Sequence, residues 1–200
     1  MKTLLSLDMS TTCTGWSLFE LDAHNLVSYG ILKGKTFKDS SSQRATLKKL
    51  EKMAEDINGL ILNYKPTFIV IEEIAGSKNR IGQKTLDMLH GIVWKCIEPY
   101  LDIVSYYDVG GENGWRTHLQ LRLSDADKIN NKESKKLNLK IGRGVTKLPI
   151  IGWKDLSCRY VNRAYGLVLD PQVNQFDADI GDSIAMGSAW IKFKFTGKFR

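Results

Sequence analysis

The chain has 200 residues, the size of one ordinary domain, and 42% of them are hydrophobic, enough to bury a real core. No run of about 18 apolar residues exists, which argues against a membrane-spanning helix. Three scattered cysteines without a C-x-x-C pair argue against structural zinc or a disulfide framework and suit a reducing cytoplasm.

In chain order, "KTLLSLD" (residues 2–8) predicts a strand, because its apolar run is too short for a signal-peptide core and lacks a small-residue cleavage site. "GWSLFEL" (15–21) and "VSYGILKG" (27–34) predict two more, joined through the turn "DAHN", so the first three strands form a meander. A helix follows through "SSSQRATLKKLEKMAEDINGLILNY", where Leu47, Leu50, Met53, Ala54, Ile57, Leu60 and Ile61 recur at helical spacing and Pro66 marks the end. "FIVIEE" (68–73) is a continuous apolar run closed by acid, the pattern of a buried central strand. "KTLDMLHGIVWKCIEPY" (84–100) predicts a second helix and "LDIVSYYDV" (101–109) a fifth strand. From Gly110 to Gly152 periodicity is lost in a polar, lysine-rich stretch interrupted by glycine, expected as a mobile basic loop or arm. "KDLSCRYVNRAYGLVL" (154–169) regains helical spacing, and a last helix is expected from near Ala178. The whole chain, 1–200, reads as a single α/β domain with a basic insertion at about 110–152.

The net charge is +7 and the pI is near 9.2, but the charge is unevenly spread. Glu112 to Lys154 holds ten Lys/Arg against four Asp/Glu, whereas Asp155 to Trp190 holds two against five. A basic segment beside an acidic one suits a polyanion held over a cation-binding pocket, although a solvated basic loop would have the same composition. The acids stand where elements end. Asp8 closes the first strand, Glu72 and Glu73 close the fourth, and Asp179 and Asp182 open the last helix three residues apart, on one face. The helix dipole accounts for one aspartate there. It does not account for Asp8 and Glu72, at the ends of apolar strands where an unpartnered charge is costly. Carboxylates converging from three elements need a cation between them, and hard oxygen ligands select Mg²⁺ or Mn²⁺. Two such ions about 4 Å apart activate water and stabilise the leaving oxygen of a phosphodiester.

Acid on the first strand of a meander, on the fourth strand and on the final helix is the RNase H-like order, with a mixed five-stranded sheet flanked by helices. Within that superfamily the residues resemble the RuvC Holliday-junction resolvases. "LDMSTTCTGWSLFE" is similar to the family's opening D-x-(S/G)-x-x-x-T-G-(W/Y) stretch, "IEEIAGSKN" to its I-E-Q segment with a nearby Lys-Asn, and "DADIGDSIAMG" to its D-x-x-D-(A/S)-(L/I)-A stretch. The likeness spans nearly the whole chain. It looks closest to phage-type members, because the segment before the final acids is longer than in the compact bacterial enzymes.

The resemblance implies a metal-dependent endodeoxyribonuclease that nicks branched DNA with two Mg²⁺ ions, Mn²⁺ substituting, in the cytoplasm and as a homodimer. It makes Asp8, Glu72, Asp179 and Asp182 the metal ligands, Glu72 rather than Glu73 aligning with the family's acid, and leaves Asp177 a solvated neighbour. It places a lysine near the scissile phosphate where Lys154 stands; an exposed helix-start lysine is the other reading, and both stay open. Lys78, Asn79, Arg80, Gln83 and Lys84 follow the Glu72 strand and are expected to face DNA. So are Lys135, Lys136, Lys140, Arg143 and Lys147 in the basic insertion. Arg44, Lys48 and Lys49 are expected to be ordinary solvated positions. Trp16, His90 and His118 are expected to be structural, and Thr11, Thr12 and Thr14 to shape the turn after Asp8. Met88, Ile92 and Trp94 exceed one core stripe on the second helix and suit a dimer interface. The family's aromatic three residues after the catalytic glutamate is here Ala75, which implies weak sequence preference. Three rival functions remain. A sugar-kinase or actin-like ATPase would need a second domain and an adenosine motif for which 200 residues leave no room. The others are an RNase H-type hybrid nuclease and a DNA-binding protein without catalysis.

Overall fold

In the computed structural model, which describes residues 1–39, 41–73, 80–141 and 145–196, the expected meander forms from β1 (Thr3–Asp8), β2 (Cys13–Glu20) and β3 (Asn25–Lys33). α1 (Ser42–Tyr64) then crosses over to β4 (Phe68–Glu72), and α2 (Arg80–Ile97) to β5 (Val104–Tyr107). The sheet order is β3-β2-β1-β4-β5, antiparallel through the meander and parallel from β1 to β5, so the mixed five-stranded sheet is present as read. α3 (Trp115–His118), α4 (Asp125–Asn138), α5 (Trp153–Tyr165) and α6 (Gln175–Trp190) follow.

Side-chain alternation splits the core in two. Leu5, Leu7, Ile69 and Ile71 face α1 and α2, whose Leu50, Met53, Ile57, Leu89 and Val93 are fully buried. Leu4, Phe19 and Val70 face the other way, against Ile184, Ala185 and Ala189 of α6 and Val161 of α5. Strand periodicity of two therefore decides which helix each strand residue meets.

Several boundaries differ from expectation. α1 ends where Lys65 turns left-handed (φ 45°) and donates to the Ile61 carbonyl, one residue before Pro66. α2 starts at Arg80 rather than at 84 and stops before Pro99, and a 3-10 turn over Glu98–Ile103 trims the fifth strand to four residues. α5 stops at Tyr165, not 169, because Gly166 takes φ 67° and caps it. α6 begins at Gln175, three residues before Ala178, since the Asn174 side chain accepts the Phe176 N–H. Asp179 and Asp182 therefore lie inside the helix and do not open it.

The main correction is the segment 110–152, expected as a loop, which folds into α3, α4 and their links. α4 has no apolar stripe to reveal it: Ile129 and Leu137 are exposed, and its buried residues are Asp127 and Asn131. Amides dock it instead. Asn131 exchanges two hydrogen bonds with the Ile151 backbone, both 2.8 Å, and Asn138 pairs the same way with Leu148. Its start is a reciprocal cap, in which the Ser124 hydroxyl accepts the Asp127 N–H and the Asp127 carboxylate accepts the Ser124 N–H. Replacing Ser124 by alanine is expected to cost about 1 kcal/mol. Urea unfolding of the variant beside the parent checks this, and an unchanged midpoint would show that α4 does not depend on its cap.

Candidate active site

Register brings the first two acids together. Leu7 stands opposite Ile71 in the parallel β1–β4 pair, so Asp8 and Glu72 end neighbouring strands at the same level. Because Leu7 and Ile71 belong to the α1/α2 core, alternation turns Asp8 and Glu72 to the α6 side. Glu73 points the other way and is exposed. α6 is fastened to that side by the Ser6 and Ser17 hydroxyls, which both donate to the Ser183 carbonyl, at 2.8 and 3.0 Å. The anchor lies beside Asp182 and one turn from Asp179, so both aspartates meet the strand-end acids.

Asp8, Glu72, Asp179, Asp182 and Lys154 line one cleft of about 570 Å³, with Arg116, Cys13, Gln175 and Phe176. Lys154 was open to two readings; its ammonium lies 2.6 Å from Asp179 Oδ1. The Asp155 carboxylate accepts the Gly152 N–H at 2.7 Å and caps the first turn of α5, which fixes Lys154 at the cleft. On the far wall, Arg116 Nη2 lies 3.2 Å from Asp182 Oδ2, with its guanidinium over the Trp115 ring. Trp115 is fully buried and donates from Nε1 to Glu72 Oε1 at 3.1 Å. The Cys13 thiol donates to Asp179 Oδ2.

The electrostatics follow from burial. Asp8 is pushed well above the ordinary 3.8, first by desolvation and then by repulsion from Glu72, Asp182 and Asp179. Glu72 is raised by desolvation and by Asp182, against hydrogen bonds from Asp8 and Trp115 and the charge of Arg116. Asp182 is raised by burial, with Arg116 and Lys154 opposing. Burial lowers the Lys154 ammonium, but the hydrogen bond and charge of Asp179 outweigh it and raise the group overall. The Cys13 thiol is pushed up to about 11 by burial and by Asp179, so it stays neutral and acts as a donor.

The donor set suits a hard divalent cation. It consists of carboxylate oxygens, and Asp182 Oδ1 is buried without a hydrogen-bond partner. Among the described residues no three acidic, histidine or cysteine side chains form a finished ligand cage. Lys154 and Arg116 sit against the oxygens instead.

Other expected residues fall elsewhere. Lys78, Asn79, Arg143 and Ala75 lie outside the described residues. Arg80 and Lys84 are exposed at the start of α2, where Gln83 donates to Asp87, and none of the three lines the cleft. Lys135 and Lys136 are exposed on α4, and Lys140 and Lys147 are exposed beyond its end, also away from the cleft lining. Asp177 is more than a solvated neighbour: it accepts the Asp170 N–H and the Asn174 amide and ties the turn before α6. Ile92 packs on the core, which leaves Met88 and Trp94 as the exposed surplus on α2. Burial takes His90 down to about 4, so it is a neutral core histidine, and Trp16 packs against Tyr64. The sequence reading missed Arg116 and Trp115 because they stand in the segment taken for a loop.

No family model matches this chain, and no curated protein sequence matches it either. Solved structures do. The fold is similar to Thermus thermophilus RuvC in complex with a Holliday junction substrate, with a TM-score of 0.60 at 10% identity over 98% of this chain and 97% of that one. A second Thermus thermophilus RuvC structure gives 0.57 at 12% identity over 98% and 96%. The chain has the RuvC fold. At such identity the likeness is one of architecture, and it covers both chains almost end to end.

The cleft has a signature without any substrate. Groups whose native pKa is raised hold their protons more tightly folded than unfolded, so their contribution is complete below the ordinary carboxylate values of 3.8 and 4.5 and is lost as pH rises through the raised native values. In divalent-free buffer the protein is therefore expected to lose stability from the acid range towards neutrality, and Asp8→Asn to flatten that fall. Urea titrations at stepped pH check it, and a parent profile that rises with pH would contradict the assignment.

Proposed function

We propose that the protein is a metal-dependent, structure-selective endodeoxyribonuclease that nicks branched DNA such as Holliday junctions. One observation carries the reading: four carboxylates from β1, β4 and α6 meet in one cleft together with two cations, within the RuvC fold. Two Mg²⁺ ions, with Mn²⁺ as substitute, are assigned to Asp8, Glu72, Asp179 and Asp182, where they would supply Lewis acidity at the scissile phosphate. The chain's own groups do the rest. Lys154 is half exposed at the cleft and charged, so it can hold a phosphate oxygen while staying within reach of Asp179. Arg116 neutralises buried Asp182, and Trp115 orients Glu72.

The solution form proposed is a homodimer, supported by exposed Met88 and by Trp94, which stacks on Tyr106. The exposed lysines of α4 and its link are proposed to attract DNA phosphates without regard to sequence.

Removing one carboxylate is expected to abolish nicking but not binding, because affinity resides in cations and phosphates. Asp8→Asn and Asp182→Asn should each bind a synthetic four-way junction and fail to cut it in Mg²⁺. Glu72→Gln should be far more damaging than Glu73→Gln, and the reverse order would exchange their roles. Assays beside linear duplex and RNA–DNA hybrid separate the proposal from a hybrid nuclease, and cleavage by none of the proteins would leave a DNA-binding protein.

Substrate choice is expected to be structural. Ala75, Gly76 and Ser77 offer no ring after the catalytic strand, and base stacking on an aromatic is worth roughly 1–3 kcal/mol. Nicks mapped on a mobile junction should spread over many sequences, and forks and flaps should also be cut. Cuts confined to one short consensus, or refusal of three-way substrates, would refute this.

A further inference from the structure

A second basic depression lies beyond α3. After Arg116 enters the cleft, the chain turns sharply at Gln120, which takes φ 54°, and the turn delivers Arg122 to the surface. There Arg122, Arg159 and Arg163 line a cavity of about 330 Å³. A neighbouring cavity of about 420 Å³ shares Gln120, Leu121 and Arg122 with it and reaches back to Thr117, the residue next to Arg116. The two depressions thus form one series from the exit turn of α3 to the flank of α5.

The groove is electropositive and partly preorganised. Arg159 and Arg163 are one turn apart on α5 and project on the same side. Arg159 is held by the buried Asp127 carboxylate, its Nη1 at 2.9 and 3.0 Å from the two oxygens. Among the described residues no carboxylate lies within ion-pair distance of Arg122 or Arg163, and both are exposed. Three guanidinium groups against one carboxylate leave the lining at +2. Arginine binds phosphate through a planar pair of donors, more directionally than lysine does. Lys154 and Arg163 are nine residues apart on α5, about 13 Å along its axis and half a turn round it, so the groove lies on a different flank of α5 from the cleft lysine.

We infer that the groove lined by Arg122, Arg159 and Arg163 binds the phosphodiester backbone of the nucleic acid outside the catalytic cleft, and so fixes the arm that leaves the branch. The inference rests on the proposed nuclease reading for its ligand. Its test does not depend on cleavage.

The variants are Arg122→Gln/Arg163→Gln, which spare the structural Arg159–Asp127 pair, and a charge-matched control, Arg44→Gln/Lys48→Gln on α1, across the sheet. Binding of a fluorescent four-way junction is followed by anisotropy in EDTA over a salt series, with long and with very short arms, after thermal melts show both variants folded. The groove variant is expected to bind the long-armed junction about tenfold more weakly, with a salt slope smaller by about 2. On arms too short to reach the groove it should match the parent, and the control should match throughout. Equal losses in both variants, or an unchanged slope in the groove variant while the parent binds, would overturn the inference. Saturable binding of inorganic phosphate that the groove variant alone loses, with DNA affinity intact, would assign the groove to a free anion and also overturn it. A parent that binds the junction but never nicks it would sink the nuclease reading and leave the groove standing.

Discussion

Everything at the cleft depends on how closely α6 lies against the sheet. A methyl group on Gly15 would stand 2.0 Å from the Asp179 carbonyl oxygen, and one on Gly187 would stand 2.4 Å from the Phe19 ring. The helix rests on backbone, and the two serine hydroxyls on the Ser183 carbonyl lock its height and rotation. Only at that distance do side chains as short as aspartate reach the ends of β1 and β4. A bulkier residue at 15 would lift the acidic turn of α6 away from Asp8, whose backbone pairs directly with Gly15 in the β1–β2 ladder.

That proximity has an energetic consequence that shapes the rest of the chain. Four carboxylates in a buried cleft repel one another and lose hydration, and the raised Asp8, Glu72 and Asp182 record the cost. α3 is only four residues long, yet it supplies both the Arg116 guanidinium and the fully buried Trp115 indole. α5 supplies Lys154 from a first turn held by Asp155. The late helices therefore offset the charge that the early strands create, and they also form the cleft wall.

The architecture was legible where a buried apolar face leaves a period. β1 and β4 are apolar runs buried on both faces, and α1 and α2 each bury one stripe of apolar residues, so continuous runs and helical spacing showed them. The four acids were legible because charge at the end of an apolar run has no packing explanation. α4 was not legible, since Asn131 and Asn138 dock it through backbone hydrogen bonds and its apolar residues face out. Ser124 followed three residues later by Asp127 was the one available signal, a capping box ahead of a polar helix. Arg116 had no local signal at all. Its partner lies 66 residues further on, and only the tertiary fold pairs them.

Arginine rather than lysine at 116 fits the burial of Asp182. A buried lysine can escape desolvation by releasing its proton, whereas a guanidinium stays charged and offers several donors in a plane. Arg116 therefore keeps opposing the upward drift of Asp182, although its own Nε and Asp182 Oδ1 are left without partners. Taken fully ionised, four acids against Arg116 and Lys154 leave the cleft at −2. On the proposed reading one divalent ion would neutralise it and a second would make it +2, a charge suited to a phosphodiester strand. The two protein cations thus set the balance between too little charge to hold metal and too much to admit DNA. Lys154, half exposed and tied to Asp179 through a single oxygen, is the one free to turn towards an incoming phosphate, while Arg116 is held between Asp182 and the Trp115 ring.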